Sequence, residues 1–172
     1  MYNSSPAAHA VWEGADTHLL TVYGLSIVEI HFGSIKGQAI RQHYMDMTYN
    51  TMDKDGHVKT LPLFADIDVR RPKYTFSHPG GLLFAMQFAQ IALIITEKAV
   101  FEDMCVKGFV QKDCAFTGHS LREYSALALI ADVLHISALV DVVFYQGITM
   151  QRAIERDSEN RSNYAMCAVN PS

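Results

Sequence analysis

The amino-acid sequence, 172 residues long, predicts an α/β fold. Three observations support this class. Apolar residues recur at helical spacing from Leu82 to Gly108, and a short apolar run, a sharp turn and a helical pattern follow one another over residues 114–130. The turn residues Asp53-Lys54-Asp55-Gly56 lead into the β-prone stretch Val58–Leu61. Helical patterns therefore alternate with short strand candidates, as in a layered α/β domain.

The N-terminal third is predicted to hold two helices and one glycine turn. Residues 1–15 are expected to be a tail, and the apolar residues between Leu19 and Ile30 predict a buried helix that contains Gly24. The stretch Ile30–Gly37 is interpreted as a strand end and a glycine turn, without the connecting loop that such a junction usually needs. Residues Arg41–Met52 are predicted to form a further helix.

The central helix, Leu82–Gly108, is the most strongly patterned element, and it follows Pro79-Gly80-Gly81. Its members Phe84, Met86 and Phe88 are interpreted as core residues rather than as contacts to a cofactor. The sequence therefore predicts that this helix carries a large part of the core.

Downstream, Cys114–Thr117 is predicted to be a strand, Gly118–Ser120 a turn and Leu121–Ile130 a helix. Ser137 is the expected N-cap of a last helix, from Ala138 to about Arg156. The final stretch Asn163–Val169 is β-prone.

Composition excludes several classes of protein. The net charge of -4 and the scattered basic residues leave no surface suited to tracking phosphates, so no nucleic-acid partner is expected. The longest apolar stretch, Leu82–Ile95, contains two glutamines and is shorter than the roughly 20 residues of a membrane span. The three cysteines are far apart and odd in number, which favours a reducing, cytoplasmic setting.

Ser120 is the candidate nucleophile. On a strand-turn-helix elbow a serine is lifted clear of its surroundings, and the next backbone N–H, that of Leu121, points at the oxyanion that forms on attack. The following helix adds the partial positive charge of its N-terminus. Such elbows place glycine two residues to either side of the serine, and Gly118 fits this rule whereas Arg122 does not.

A wider match sharpens this hypothesis. The run from Gly118 to Ala128 resembles the Gly-His-Ser-Leu-Gly-Glu-Tyr-Ser-Ala-Leu elbow of malonyl-CoA:acyl-carrier-protein transacylases. Further stretches are similar to the malonyl/palmitoyl transferase domain of the fungal fatty acid synthase β subunit, and they lie at residues 81–85, 87–88, 97–99, 101–104, 142–145 and 161–164. The resemblance extends from about Asp16 to Ser172.

The resemblance implies an acyltransferase of fatty acid biosynthesis. Ser120 would take malonyl from coenzyme A and pass it to the phosphopantetheine thiol of an acyl carrier protein, and would also unload palmitoyl to coenzyme A. Leu121 and, on a loose match within Phe32–Gly37, Ile35 would supply the oxyanion-hole amides, while His119 would support the turn. No tightly bound cofactor and no metal are implied. The implied partners are the acyl carrier protein and the other synthase subunits.

The resemblance also implies the architecture. Residues 16–162 would form an incomplete α/β-hydrolase-like acyltransferase core, and residues 163–172 would begin a ferredoxin-like subdomain. The family's catalytic histidine lies after that subdomain, so we expect no base within these residues and impaired activity of the chain alone.

Two positions depart from the family pattern. Arg122 occupies the place of the second elbow glycine, where a long side chain would cost about 1 to 3 kcal/mol through overpacking. Gln146 occupies the place of the arginine that pairs the malonyl carboxylate, and a neutral amide cannot replace that charge.

These departures keep a non-catalytic remnant or interaction fragment open as an alternative. A generic serine hydrolase ranks lower, because it too needs a histidine downstream of the serine. A metal site ranks lowest, because His119 and Glu123 share a helical face without a third ligand at a recognisable spacing.

Overall fold

A computed structural model describes residues 2–33, 37–40, 48–53, 55–64, 67, 70, 74–129, 133–154 and 161–162. Within these residues the chain forms five α-helices and four strands. The helices are α1 (Pro6–Val22), α2 (Ile27–Gly33), α3 (Met86–Val106), α4 (Leu121–Leu129) and α5 (Ile136–Ala153). The strands are β1 (Gly37–Ile40), β2 (Thr48–Met52), β3 (Val58–Pro62) and β4 (Tyr74–Ser77), and a 3₁₀ turn covers Leu82–Phe84.

Helix α1 begins much earlier than the sequence predicted. Its N-cap is Ser5, whose Oγ accepts a hydrogen bond from the Ala8 N–H, and Pro6 occupies the first helical turn, where a missing N–H costs nothing. Residues Pro6–Ala15 are thus helical, and the expectation of a tail over residues 1–15 is wrong from Pro6 onward. Buried side chains fix this helix in the core, among them Ala8, Trp12, Ala15 and Leu19.

The predicted helix Leu19–Ile30 is in fact two helices. Gly24, with φ of 73°, closes α1, because its backbone adopts the left-handed conformation and the Leu25 N–H turns back to the Leu19 carbonyl at 3.3 Å. Helix α2 then begins at Ile27 and runs to Gly33, so residues 30–33 are helical rather than a strand end. The buried carboxylate of Asp16 holds this junction by accepting hydrogen bonds from the Ser26 hydroxyl and the Val28 N–H.

A hairpin follows in place of the predicted helix Arg41–Met52. Within the described part of that range, Thr48–Met52 is strand β2, which pairs antiparallel with β3 and places Thr48 opposite Pro62 and Met52 opposite Val58. The predicted turn at residues 53–56 is confirmed in its described residues, with the Gly56 N–H bonded to the Asp53 carbonyl at 3.1 Å.

Helix α3 confirms the central helix, with a change at its start. Leu82–Phe84 form a separate 3₁₀ turn, Ala85 is extended, and the α-helix runs from Met86 to Val106, just before Gly108. Phe88 is buried as predicted, but Phe84 is 73% exposed and Met86 is half-buried, so the core assignment is wrong for Phe84. The separate turn rotates Phe84 off the stripe that Phe88 follows, and Phe84 stacks on His78 instead.

The C-terminal half contains two more helices. Helix α4 confirms the predicted helix after Ser120, but Cys114–Thr117 forms no strand and is largely exposed. A strand needs a neighbour for its ladder, and the described strands pair only as β1–β4 and β2–β3. Helix α5 begins at Ile136 with His135 as N-cap, two residues before the predicted cap, and ends at Ala153. The β-prone stretch Asn163–Val169 lies outside the described residues.

The core lies between helices. Helix α3 packs against α1, α4 and α5, and α1 also packs against α5. An aromatic cluster joins these helices to β4, with Phe76 in edge contact with both Phe88 and Phe144. The described residues thus form a mixed α and β structure, in agreement with the predicted mixture of helices and strands. None of the described helices is both long and apolar enough to span a bilayer.

Candidate active site

Ser120 lies on a sharp turn immediately before helix α4. Its φ is 58°, and within the described residues it is the one residue other than glycine with a positive φ. Such a conformation is strained for a side chain with a β-carbon, and strained residues cluster at functional sites. The side chain of Ser120 is exposed, so the turn presents its hydroxyl to solvent.

Gly118 explains how the turn closes. A β-carbon at this position would lie 2.1 Å from the Arg122 carbonyl oxygen and 2.6 Å from the Glu123 nitrogen. No side chain fits there, because both obstacles are backbone atoms of the first turn of α4. The close approach of these backbone atoms therefore confirms that the position two residues before the serine requires glycine.

Arg122 does not crowd the elbow. The part of Arg122 that approaches Gly118 is its backbone, whereas its side chain is 67% exposed and reaches Glu97 on α3, with Nε 3.1 Å from Oε1. The predicted overpacking by Arg122 is wrong for this reason.

Glu97 also fixes α4 at a second point. Its other carboxylate oxygen, Oε2, accepts a hydrogen bond from the buried hydroxyl of Ser125, one turn after Arg122. The neighbouring Lys98, also buried, donates to the Ala128 carbonyl at 2.8 Å and pairs with Glu102 at 2.6 Å. Helix α4 is thus tied to α3 by polar groups near both of its ends.

Of the two predicted oxyanion donors, the structure describes the backbone amide of Leu121. Leu121 is the first residue of α4, and the first N–H groups of a helix have no partner one turn back along the chain. The positive end of the helix dipole lies at the same place, and both features favour a negative oxygen beside Ser120. Ile35, the other predicted donor, lies outside the described residues.

Gln146 lies on α5 beside α3. Its Oε1 is buried without a hydrogen-bond partner, and its Nε2 lies 3.8 Å from Met150 Sδ. The next residue, Gly147, lets the helices touch, because a β-carbon there would be 2.5 Å from the Cα of Gln87. The side chain of Gln146 brings no charge and has no strong partner.

Three of the histidines that the structure describes have polar partners other than Ser120. His18 Nε2 lies 2.8 Å from Asp141 Oδ1, His78 Nδ1 accepts from the Gly80 N–H, and His57 lies beside Asp53. His119 precedes the nucleophile with an exposed side chain. Within the described part of the chain, no base is hydrogen-bonded to the Ser120 hydroxyl.

One group of potential metal ligands lies on the β2–β3 hairpin, formed by Asp53, Asp55 and His57. Asp53 Oδ1 already accepts the N–H groups of Asp55 and His57, and the bond from the His57 N–H lowers the pKa of the Asp53 carboxyl. These contacts are those of a hairpin turn, so the group carries no metal assignment.

Sequence patterns predicted the elbow but missed the residues that hold it. Gly118, Ser120 and Leu121 are adjacent on one turn, as predicted. Glu97 and Lys98 belong to a different helix, and no spacing rule connects them to a serine more than 20 positions away. The sequence did contain one signal for these residues. Glu97 and Lys98 are charged, yet they lie on a helix that its apolar pattern predicts to be buried, and buried charged residues are nearly always paired.

Known proteins resemble this chain over its whole length. A family model described as "Acyl transferase domain" matches residues 1–172. The chain is 51% identical to fatty acid synthase subunit beta of Schizosaccharomyces pombe and 48% identical to that of Saccharomyces cerevisiae, covering 100% and 99% of this chain. It is 43% identical to the fatty acid synthase beta subunit TOXC of Cochliobolus carbonum. The chain spans 9% of the length of each of these relatives.

Proposed function

This chain belongs to the acyl transferase domain family, and we propose from this premise that it is the serine-bearing part of an acyltransferase in fatty acid biosynthesis. The proposal rests mainly on the conformation of the turn at Ser120. A positive φ at an exposed serine, closed by a glycine that no other residue can replace, serves no evident packing purpose. It is the arrangement that a serine nucleophile requires.

The proposed reaction transfers an acyl group in two steps. In the first, Ser120 Oγ attacks the thioester carbonyl of malonyl-coenzyme A, or of palmitoyl held on the phosphopantetheine of an acyl carrier protein when palmitoyl is unloaded; the Leu121 N–H stabilises the oxyanion, and the C–S bond breaks. The serine proton passes through a base to the departing thiolate. In the second step the phosphopantetheine thiol of an acyl carrier protein attacks the acyl-serine ester, or coenzyme A does so when palmitoyl is unloaded, and Ser120 regains its proton.

The base for these proton transfers belongs, by family resemblance, to a histidine located beyond Ser172. We propose that the chain by itself acylates slowly. Removal of the base from a serine enzyme costs on the order of a millionfold in turnover, while the oxyanion hole and binding retain part of the catalysis.

The proposed setting follows from the same resemblance. The helices and strands described above belong to an α/β-hydrolase-like core, and residues 163–172 begin a ferredoxin-like subdomain. The acyl carrier protein and the other fatty acid synthase subunits are the proposed partners, coenzyme A thioesters are the substrates, and the cytoplasm is the proposed location.

An acylation experiment tests the proposal. The full chain is incubated for hours with millimolar malonyl- or palmitoyl-coenzyme A, and its intact mass is measured after the thioester is removed. We expect a single adduct with the mass of one acyl group. Ser120→Ala should abolish it. Ser125→Ala, which changes a serine on the same helix without touching the turn, should retain it. No adduct with either donor, or an equal adduct on Ser120→Ala, would contradict the proposal.

A second candidate is a non-catalytic remnant or interaction fragment, and Gln146 favours it. A buried amide oxygen without a partner, at the position where the family has an arginine, offers the malonyl carboxylate no cation. Gln146→Arg decides between the two. If the chain is an acyltransferase with altered acyl preference, this variant should raise malonyl labelling relative to palmitoyl labelling. If it is a remnant, neither label should appear.

A further inference from the structure

A cavity of about 360 Å³ lies away from the elbow, between strand β4 and the facing ends of α3 and α5. Its lining includes Ser77 at the end of β4, His78 directly after it, Gln87 in the first turn of α3, and Gln151 and Arg152 in the last turn of α5. Ser120 and Gln146 are not among the lining residues. The described cavity wall therefore contains neither of these two residues.

The described lining residues of the cavity carry a net positive charge. Arg152 carries a permanent charge, and its guanidinium lies over the Tyr74 ring with Cζ 5.1 Å from the ring centroid. The N-terminus of α3, a helix of 21 residues, opens into the same space, and its first turn contains no acidic residue. Among the described lining residues there is no aspartate or glutamate.

Two buried polar atoms of the cavity wall have no hydrogen-bond partner among the described residues. Arg152 Nη2 is buried without a hydrogen bond, and so is Oε1 of Gln87, whose residue is 4% exposed. Buried polar atoms in native proteins are nearly always bonded, and an unpaired buried donor on a charged group is the most costly kind. A bound ligand with oxygens for Arg152 and a hydroxyl for Gln87 would satisfy both atoms.

Two further residues of the cavity wall, His78 and Ser77, can donate hydrogen bonds to a bound ligand. His78 Nδ1 accepts the Gly80 N–H at 3.2 Å, so the neutral ring carries its proton on Nε2, where it can donate. The hydroxyl of Ser77 is the second donor. Gln151 is already engaged, because its Oε1 accepts from the Met86 N–H at 3.4 Å, and this bond joins the two helix ends that form the wall.

We propose that this cavity binds a phosphate group. Arginine, histidine and serine donors at a helix N-terminus are the typical complement of a phosphate, and the P–OH of a monoprotonated phosphate offers the hydrogen that Gln87 Oε1 lacks. The cavity volume of about 360 Å³ is several times that of a phosphate ion, because a phosphate ion is only a few times larger than a water molecule, which occupies about 30 Å³ of the liquid. The cavity therefore has room for a phosphate monoester as well as for free phosphate.

Calorimetric titration of the full chain tests the proposal, with inorganic phosphate and glycerol 3-phosphate as separate probes at constant ionic strength. We expect saturable binding of at least one probe. Tighter binding of the ester would identify a phosphorylated molecule as the ligand, and equal or weaker binding would identify free phosphate. Malonate is the competing anion, and a tenfold preference for malonate over both phosphates would overturn the assignment.

Variants locate the site. Arg152→Gln should weaken binding at least tenfold, and Arg122→Gln, which removes the same charge from the elbow region, should leave it unchanged. Ser77→Ala alters an exposed side chain outside the core and should weaken binding severalfold, which keeps the test decisive if Arg152→Gln does not fold. Ser120→Ala should bind phosphate like the parent chain, so failure of acyl transfer and failure of this site are distinguishable. Absence of saturable binding, or unchanged binding in both cavity variants, would refute the proposal.

Discussion

Helix α3 contacts two partner helices in two different ways. Against α5 the contact is largely apolar, with a hydrogen bond from the Met86 N–H to Gln151 at one end, and it is so close that Gly147 meets the backbone of Gln87, with Phe88 and Phe144 buried beside it. Against α4 the contact depends on polar bonds from Glu97 and Lys98. The stability of the chain therefore depends chiefly on the first contact, whereas the candidate nucleophile lies directly before the helix held by the second.

The largest effect should come from the apolar side of this comparison. Phe88→Ala should lower the free energy of unfolding by about 3 to 5 kcal/mol, because it leaves a cavity among Phe76, Phe144 and the helices. Phe84→Ala is the matched control, four residues earlier and 73% exposed, and should change stability by less than about 1 kcal/mol. Chemical denaturation measures both, and equal losses would contradict the assignment of the core.

Glycine substitutions test how closely α3 and α5 approach each other. Gly147→Ala should cost about 1 to 3 kcal/mol, because the new methyl group would lie 2.5 Å from a backbone atom. Gly14→Ala on α1 has its nearest neighbour at 3.7 Å and should be neutral or stabilising by up to about 1 kcal/mol. Thermal unfolding provides the comparison, and a loss at Gly14 equal to that at Gly147 would contradict the proposed close contact.

Gly118→Ala should behave in the opposite way to Gly147→Ala. The new methyl group would collide with the first turn of α4, so the turn at Ser120 should open and the acyl adduct should disappear. The core helices do not depend on this turn, so the midpoint of global unfolding should move little. A large loss of global stability in Gly118→Ala, with acylation retained, would contradict this prediction.

The sequence predicted what local chemistry determines. The glycine at the elbow and the turn at residues 53–56 need no distant partner, and both were predicted correctly. The first half of helix α1 was not predicted although Ser5 and Pro6 provide its start signals, because its apolar residues are mostly alanine and produce a weaker hydrophobic pattern than the run after Leu19. Strand β2 was taken for a helix, yet its alternating burial, visible at Tyr49 and Thr51, is typical of a strand.

Non-local features were beyond prediction from the sequence. The strand expected at Cys114–Thr117 depends on neighbouring strands, and the ties from Glu97 and Lys98 depend on how α3 and α4 meet. The overpacking attributed to Arg122 was wrong because a sequence does not reveal whether a side chain points toward a turn or away from it.

The polar ties should make a smaller contribution. Glu97→Ala leaves the Ser125 hydroxyl buried without its acceptor, which costs about 1 to 2 kcal/mol, while the lost pair with the exposed Arg122 adds little. Hydrogen exchange should show faster exchange in α4 than in α5. Arg122→Gln, which keeps the bond between Glu97 and Ser125, is the control, and an equal effect of both variants would mean that the ion pair dominates.

The smallest effect concerns acid pH. Two hydrogen bonds lower the pKa of the Asp103 carboxyl in the folded chain. The bond from Lys107 has the larger effect and the bond from Ser5 the smaller. The folded state therefore binds fewer protons than the unfolded state, and the resulting stability is present above the ordinary aspartate pKa of about 3.9 and lost as pH falls below it. Asp103→Asn should flatten the loss of stability below about pH 4 in acid titrations of the unfolding midpoint. An unchanged acid limb would contradict this contribution.

The most direct test of the central claim is to locate the acyl group by peptide mapping after incubation of the chain with palmitoyl- or malonyl-coenzyme A. The exposed thiols of Cys105 and Cys114 are the competing nucleophiles, although burial raises the pKa of the Cys105 thiol. We predict an ester on Ser120 that survives neutral hydroxylamine, which cleaves thioesters. An adduct found only on the cysteines, or spread over several serines, would contradict the assignment of Ser120 as the nucleophile.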